Sequence, residues 1–123
     1  MTTGVCELEA RELNKSFFYK FNHDKPYMRL KYGISIDGKI ANQGKESKWI
    51  TSEDSRAFVQ SKRAEVNAIL TTCNTVIDDN PYMNIREKKI KDLITNQPAL
   101  IVLDTKMKVP FTSNIFKTKN RLV

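Results

Sequence analysis

Ala99-Leu100-Ile101-Val102-Leu103 is an unbroken apolar run that stops at Asp104-Thr105, and it decides how the 123-residue chain is read. It has no polar alternation, so neither face is set aside for water. A run of this kind suits a strand of a parallel sheet covered on both faces. Upstream, Ala68-Ile69-Leu70 inside residues 67–72 is a second short buried-strand candidate. Between the two, residues 74–86 read as a long loop broken by Pro81, and residues 88–95 as a weak helix. Before them, Thr51 or Ser52 can cap a helix running to about Ala64, with Glu53 and Asp54 favoured in its first turn by the helix dipole. Ala57, Phe58 and Val59 are its core-facing candidates.

Further upstream, residues 27–36 alternate, with Met28, Leu30, Tyr32, Ile34 and Ile36 on one face, which predicts a third strand. Asp37-Gly38 is a turn signal after it, and residues 41–48, with Gly44, read as a loop. Residues 5–21 have helical spacing through Leu8, Leu13, Phe17, Phe18 and Phe21, and Pro26 stops any continuation. Downstream, Pro110 and Ser113-Asn114 mark another loop, and a further element is expected to begin before Val123. The order helix, strand, helix, strand, loop, strand predicts an α/β fold with a largely parallel sheet flanked by helices. Three strands fall short of the about five or six of a usual sheet, so the chain reads as part of a domain.

Lys and Arg number 21 against 14 Asp and Glu, a formal charge of +7. Lys supplies 15 of these cations and Arg 6, beside 11 Ile and 10 Asn, a bias typical of A+T-rich codon usage. The basic run from Arg86 to Lys91 reads as a solvated face, and the positive surface suits phosphorylated small molecules better than nucleic acid. Cys6 and Cys73 form no CxxC, and His23 stands alone in the turn-like Asn22-His23-Asp24-Lys25-Pro26. No zinc set and no Ser-His-Asp triad can be built from these. There is no apolar stretch of membrane-spanning length and no signal core, so a cytoplasmic protein with no membrane partner is expected.

Ligands of α/β sheets bind beyond the carboxyl ends of the strands. Three such ends carry small or polar residues here: 33–39, 71–75 and Asp104-Thr105. Residues of these types also simply make turns. Neither GxGxxG nor GxxxxGK[ST] is present.

Longer strings say more. Met28-Arg29-Leu30-Lys31-Tyr32-Gly33-Ile34-Ser35-Ile36-Asp37-Gly38-Lys39-Ile40-Ala41 resembles the opening of the reductase domain of the bifunctional riboflavin-biosynthesis deaminase/reductase family. The strings at 44–52 (Gly-Lys-Glu-Ser-Lys-Trp-Ile-Thr-Ser), 63–70 (Arg-Ala-Glu-Val-Asn-Ala-Ile-Leu) and 75–81 (Thr-Val-Ile-Asp-Asp-Asn-Pro) resemble it in the same order. Residues 9–18 look like the join between the family's two halves, so residues 1–25 read as that helical join and 26–123 as the N-terminal part of a reductase domain. The resemblance implies a dihydrofolate-reductase-like fold. It also implies NADPH-dependent reduction of the ribosyl side chain of 5-amino-6-(5-phosphoribosylamino)uracil 5′-phosphate to the ribityl form.

It further implies that Gly33, Trp49, Thr75, Asp79 and Thr105 meet NADPH, and that Ser47, Arg63, Met83 and Arg86 meet the substrate. The residue types are compatible. Arg63 and Arg86 suit bidentate phosphate capture, although Arg63 also suits a helix C-terminus by its charge alone. Trp49, the sole tryptophan, flanks a nicotinamide or fills the core. Asp79 accepts from a ribose hydroxyl or caps a turn ahead of Pro81. Ser47 meets a substrate amide or solvent, and Met83 offers apolar contact to a ligand or to the core. Lys39 is the catalytic candidate, as the proton donor that accompanies hydride transfer, with water as the alternative; Asp37 fixes the turn.

Two departures from the family stand out. The deaminase signatures HxE and PCxxC are absent, and the family's later glycine-rich phosphate-binding segment and substrate-binding Glu have no counterpart. Asn80 replaces a more typical Asp and keeps the turn. The chain is therefore expected to be a truncated reductase or one product of a split gene. It would work as a homodimer or with a complementing chain supplying the missing half; the alternative is an inactive remnant or non-catalytic subunit.

Overall fold

The computed structural model describes residues 2–41, 44 and 50–123, in two compact units, Met1–Ile40 and Ala41–Val123. In the first unit the expected single helix over 5–21 is two helices, α1 (Glu7–Leu13) and α2 (Lys15–His23). Asn14 divides them at φ −105° and ψ 24°, and its Nδ2 donates to the Ala10 carbonyl at 2.9 Å. A short amide side chain that bonds back onto the preceding turn competes with the helix ladder and ends it. α2 ends at Asp24 in the left-handed region, φ 49°, with its N–H on the Lys20 carbonyl at 2.9 Å, so the stop precedes Pro26 by two residues. His23 is thus the last helical residue rather than a turn residue, its ring 4.5 Å from that of Tyr19.

The strand expected over 27–36 is not formed; residues 26–35 carry no regular structure, and Met28, Leu30, Tyr32, Ile34 and Ile36 are all exposed. Alternation divides a segment into two faces but makes a strand only when a neighbour takes up its N–H and C=O groups. The turn that follows is built as expected. Ser35 Oγ donates to Asp37 and receives the Lys39 N–H at 3.0 Å, and Gly38 sits at φ +78°, where a side chain would be strained.

The second unit holds α3 (Glu53–Ala64), β1 (Ala68–Thr72), α4 (Cys73–Asp79), α5 (Lys88–Lys91), β2 (Ala99–Leu103) and a 3₁₀ turn at Asn114–Lys117. α3 begins as its sequence predicts: Ser52 caps it by accepting the Ser55 N–H at 3.2 Å, behind Glu53 and Asp54. Its apolar residues behave differently. Ala57 and Phe58 are exposed, Phe58 by 62%, and Val59 is half-buried. The Phe58 ring lies under the Lys62 ammonium at 5.2 Å instead of in the core.

β1 and β2 pair in parallel, Ala68 opposite Ala99 through Thr72 opposite Leu103. The chain's end runs beside β2, with Leu122 C=O accepting from Leu100 N at 2.8 Å and Asn120 C=O accepting from Gln97 N at 3.3 Å. Coverage is one-sided, not two-sided as the apolar run suggested: Leu100 is 3% exposed, but Ile101 is 47% and Leu103 52%. The covered face packs Leu100 with Val76 and Ile115, ringed by Ile69, Met83, Val102 and Val109.

Residues 74–86, expected to be one loop, open with α4. Thr72 accepts from Thr75 N at 3.5 Å as its cap, and Asn80 closes it in the left-handed region at φ 42°. Pro81 is the stop behind a helix rather than a break within a loop. α5 is shorter than the 88–95 pattern implies.

Candidate functional site

Residues 82–86 belong to no helix or strand, and four side chains satisfy their polar groups. Arg121 Nη1 donates to the Tyr82 carbonyl at 2.9 Å and to the Met83 carbonyl at 3.1 Å, while its Nη2 donates to the Ile115 carbonyl. Arg63, in the last turn of α3, donates from Nη1 to the Asn84 carbonyl at 2.9 Å and from Nη2 to Met83 Sδ at 3.8 Å. Gln97 takes the place of a neighbouring strand for Ile85: its Oε1 accepts the Ile85 N–H at 2.7 Å and its Nε2 donates to the Ile85 carbonyl at 3.2 Å. Gln60 Oε1 accepts the Arg86 N–H at 2.8 Å.

Three of the four substrate-side candidates, Arg63, Met83 and Arg86, are therefore drawn to one place. Met83 holds φ +50°, a left-handed conformation that a non-glycine residue adopts only at some cost, about 1–3 kcal/mol. Ile85 beside it is buried and anchors the segment.

Electrostatics mark the same place. Burial pushes the Arg63 pKa down, and the neighbouring Arg86 and Arg121 guanidiniums push it down further. Burial also lowers Arg121. Among the described residues the charges acting on Arg63 are thus all positive. An arginine stays protonated regardless, so three positive charges stand close together here.

Two of the cofactor-side candidates, Thr75 and Thr105, lie past the carboxyl end of the strand pair. Thr75 is in the first turn of α4, directly past β1, and Asp79 is four residues on, on the same helix face. Thr105 follows β2 by two residues, and Thr72 opposes Leu103, so Thr75 and Thr105 leave the same, carboxyl, end of the sheet. Asp104 ties that end together. Its Oδ2 accepts the Val109 N–H at 2.8 Å, and the N–H groups of Lys108 and Val109, with a smaller contribution from the Cys73 thiol, hold its pKa below the usual carboxylate value. Its Oδ1 is shielded and has no hydrogen bond of ordinary geometry among the described residues.

Gly33 and Lys39 belong to the first unit: Gly33 is half-buried, and Lys39 is exposed beyond the Ser35 turn. Ser47 and Trp49 lie outside the described residues. Arg121, Gln97 and Gln60 were not legible as site residues, since each meets its target 12 to 39 residues away in the chain. Their one advance signal is the scarcity of arginine, of which Arg121 is one of six. Among the described residues no three of His, Cys, Asp and Glu gather as metal ligands, and no helix is long and apolar enough to cross a membrane.

A parallel strand pair with helical connections, a polar carboxyl end and an arginine-held segment define an α/β protein. Residues 26–123 match the family described as the RibD C-terminal domain, and the chain belongs to that family. It is 40% identical to the riboflavin biosynthesis protein RibD of Aquifex aeolicus over 116 residues, 94% of this chain and 32% of that protein. It is 37% identical to RibD of Escherichia coli over 114 residues, 86% of this chain and 31% of that protein. Among solved structures it is similar to a diaminohydroxyphosphoribosylaminopyrimidine deaminase/5-amino-6-(5-phosphoribosylamino)uracil reductase from Thermotoga maritima, at TM-score 0.83 and 32% identity, over 96% of this chain and 32% of that one. Acinetobacter baumannii RibD gives TM-score 0.83 at 36% identity, over 94% of this chain and 33% of that one. The chain thus spans about a third of the length of the relatives it matches.

Proposed function

We propose that this chain takes part in the NADPH-dependent reduction of the ribosyl side chain of 5-amino-6-(5-phosphoribosylamino)uracil 5′-phosphate in cytoplasmic riboflavin biosynthesis. The observation that carries the reading is the cluster of Arg63, Arg86 and Arg121 around residues 82–86, with no carboxylate acting on Arg63 among the described residues. A phosphate ester answers that unbalanced charge, and planar guanidinium groups grip it in pairs. Arg63 and Arg86 bind the phosphate and Met83 covers the apolar side of the ligand, with Ser47 as the fourth contact.

The donor set at the carboxyl end of the sheet fits a dinucleotide's sugar and amide groups: hydroxyls at Thr75 and Thr105 and a carboxylate at Asp79. These residues, with Gly33 and Trp49, would hold NADPH, which supplies the hydride when bound. The protein's share is to orient the sugar carbon, exclude water, and deliver a proton at the former carbonyl oxygen, for which Lys39 Nζ is the candidate donor.

A partner belongs to the reading. Leu70, Ile101 and Leu103 leave an apolar sheet face open, and a two-stranded sheet is marginal in water without further cover. We propose that a homodimer, or a complementing chain, covers it. The same open face is what a non-catalytic subunit would show, and activity separates the two.

Titrating the purified chain with NADPH while following Trp49 fluorescence, then adding substrate and following NADPH oxidation, tests the proposal. Quenching followed by turnover supports it. Quenching without turnover supports the non-catalytic subunit, and the absence of both overturns the cofactor assignment.

A further inference from the structure

We infer that Arg121 is a positioning residue of the substrate side: it holds the backbone at 82–83, and through it Met83 and Arg63, in the arrangement that receives a phosphorylated ligand. The inference rests on the reading of Arg63 and Arg86 proposed above and adds a residue to it. Three consecutive carbonyls, at Tyr82, Met83 and Asn84, are all taken by guanidinium groups, the first two by Arg121 and the third by Arg63. Arg121 also reaches the Ile115 carbonyl, so a single side chain ties the 82–83 backbone to the buried turn that carries Ile115.

Neutralising an acid does not explain an arginine in this position, since its contacts are three carbonyl oxygens and the charge it acts on is that of Arg63. Its shape does. A flat fork with five donors in fixed directions can bridge carbonyls from two segments at once, whereas an ammonium offers one centre on a flexible stem. The Nε of Arg121 is buried without a partner among the described residues, a cost accepted in order to place the fork.

What the fork secures is a strained residue. Met83 at φ +50° relaxes unless its surroundings hold it, and Arg121 on its carbonyl and Arg63 on its sulfur are the holders. With two of its donors committed to Asn84 and Met83, Arg63 is aligned by the very segment that Arg121 aligns, and donors remain for an anion.

The test compares the full chain with its Arg121→Lys and Arg121→Gln variants. Calorimetric titration with ribose 5-phosphate, with ribose as the control, reads the substrate side, and titration with NADPH reads the cofactor side. Hydrogen exchange reads the amides of 82–86 against those of β1 and β2. Positioning predicts that Lys is as poor as Gln. Both should weaken ribose 5-phosphate roughly tenfold or more, leave NADPH affinity unchanged, and deprotect 82–86 alone. Ribose 5-phosphate affinity kept in Arg121→Lys but lost in Arg121→Gln assigns Arg121 a charge role and overturns the inference. So does loss of protection throughout the chain in both variants, which assigns it to general stability. Failure of the unmutated chain to bind ribose 5-phosphate overturns the underlying reading of Arg63 and Arg86 and, with it, this one. Binding that is undiminished in both variants overturns the inference alone.

Discussion

Arg63 shows how a residue's role emerges from its surroundings. Its position in the last turn of α3 suits the helix dipole, a sufficient reason for a cation there. Its contacts go elsewhere, to Asn84 and Met83, and two other guanidiniums crowd it. Arg63→Ala should therefore weaken ribose 5-phosphate by roughly 10- to 100-fold, the worth of a charged hydrogen bond, with NADPH affinity unchanged in the same calorimetric titration. Unaltered ribose 5-phosphate affinity would leave Arg63 a helix-end cation.

Asp104 makes a prediction in pH. Its folded-state pKa is lowered, so its stabilising effect is complete above the unfolded value, about 3.9 for Asp, and fades as pH falls through the folded value. Asp104→Asn should lower the melting temperature at pH 7, and the gap between variant and parent should close as melts are taken toward pH 2. A gap independent of pH would mean that the carboxylate's charge is irrelevant.

At the scale of elements, caps and periodicity tell different amounts. α3 and α4 both begin at a hydroxyl that accepts the N–H three residues on, Ser52 and Thr72. Ser52→Ala should cost about 1 kcal/mol, measured by urea denaturation, because the orphaned N–H is left to water. α4 reads as loop in the sequence, because a seven-residue helix carries too little apolar repetition to separate it from one, even with Thr72 and Asn80-Pro81 at its ends. β2 was legible to its exact bounds, since five consecutive apolar residues between Pro98 and Asp104 leave little else to form. Its depth in the core was not. Leu100 packs on Val76 and Ile115 while Ile101 faces out, so Leu100→Ala should cost about 2–5 kcal/mol and Ile101→Ala far less in the same denaturation series. Equal costs would show Ile101 to be covered in solution.

The whole molecule is shaped by what its apolar surfaces lack. Residues 28–36 alternate like a strand yet form no strand among the described residues, and the outer faces of β1 and β2 remain open. If a second copy covers the sheet, sedimentation velocity should show a concentration-dependent dimer. Ile101→Lys should then abolish the dimer without lowering the melting temperature of the monomer, because the side chain is already half exposed. A chain that stays monomeric at high concentration leaves the complementing chain as the partner.

Local chemistry settled much of this protein in advance. The class α/β, the two parallel strands, the cap of α3 and the Ser35–Lys39 turn all follow from a few neighbouring residues whose propensities agree. The tertiary structure alone decided that one sheet face is covered and the other open, and that 27–36 is no strand. It alone decided that Arg63, Met83 and Arg86 are drawn together around a segment held by Arg121 and Gln60. Each of these depends on groups tens of residues apart, and neither a hydrogen-bond partner nor a packing neighbour at that separation leaves a trace in local spacing.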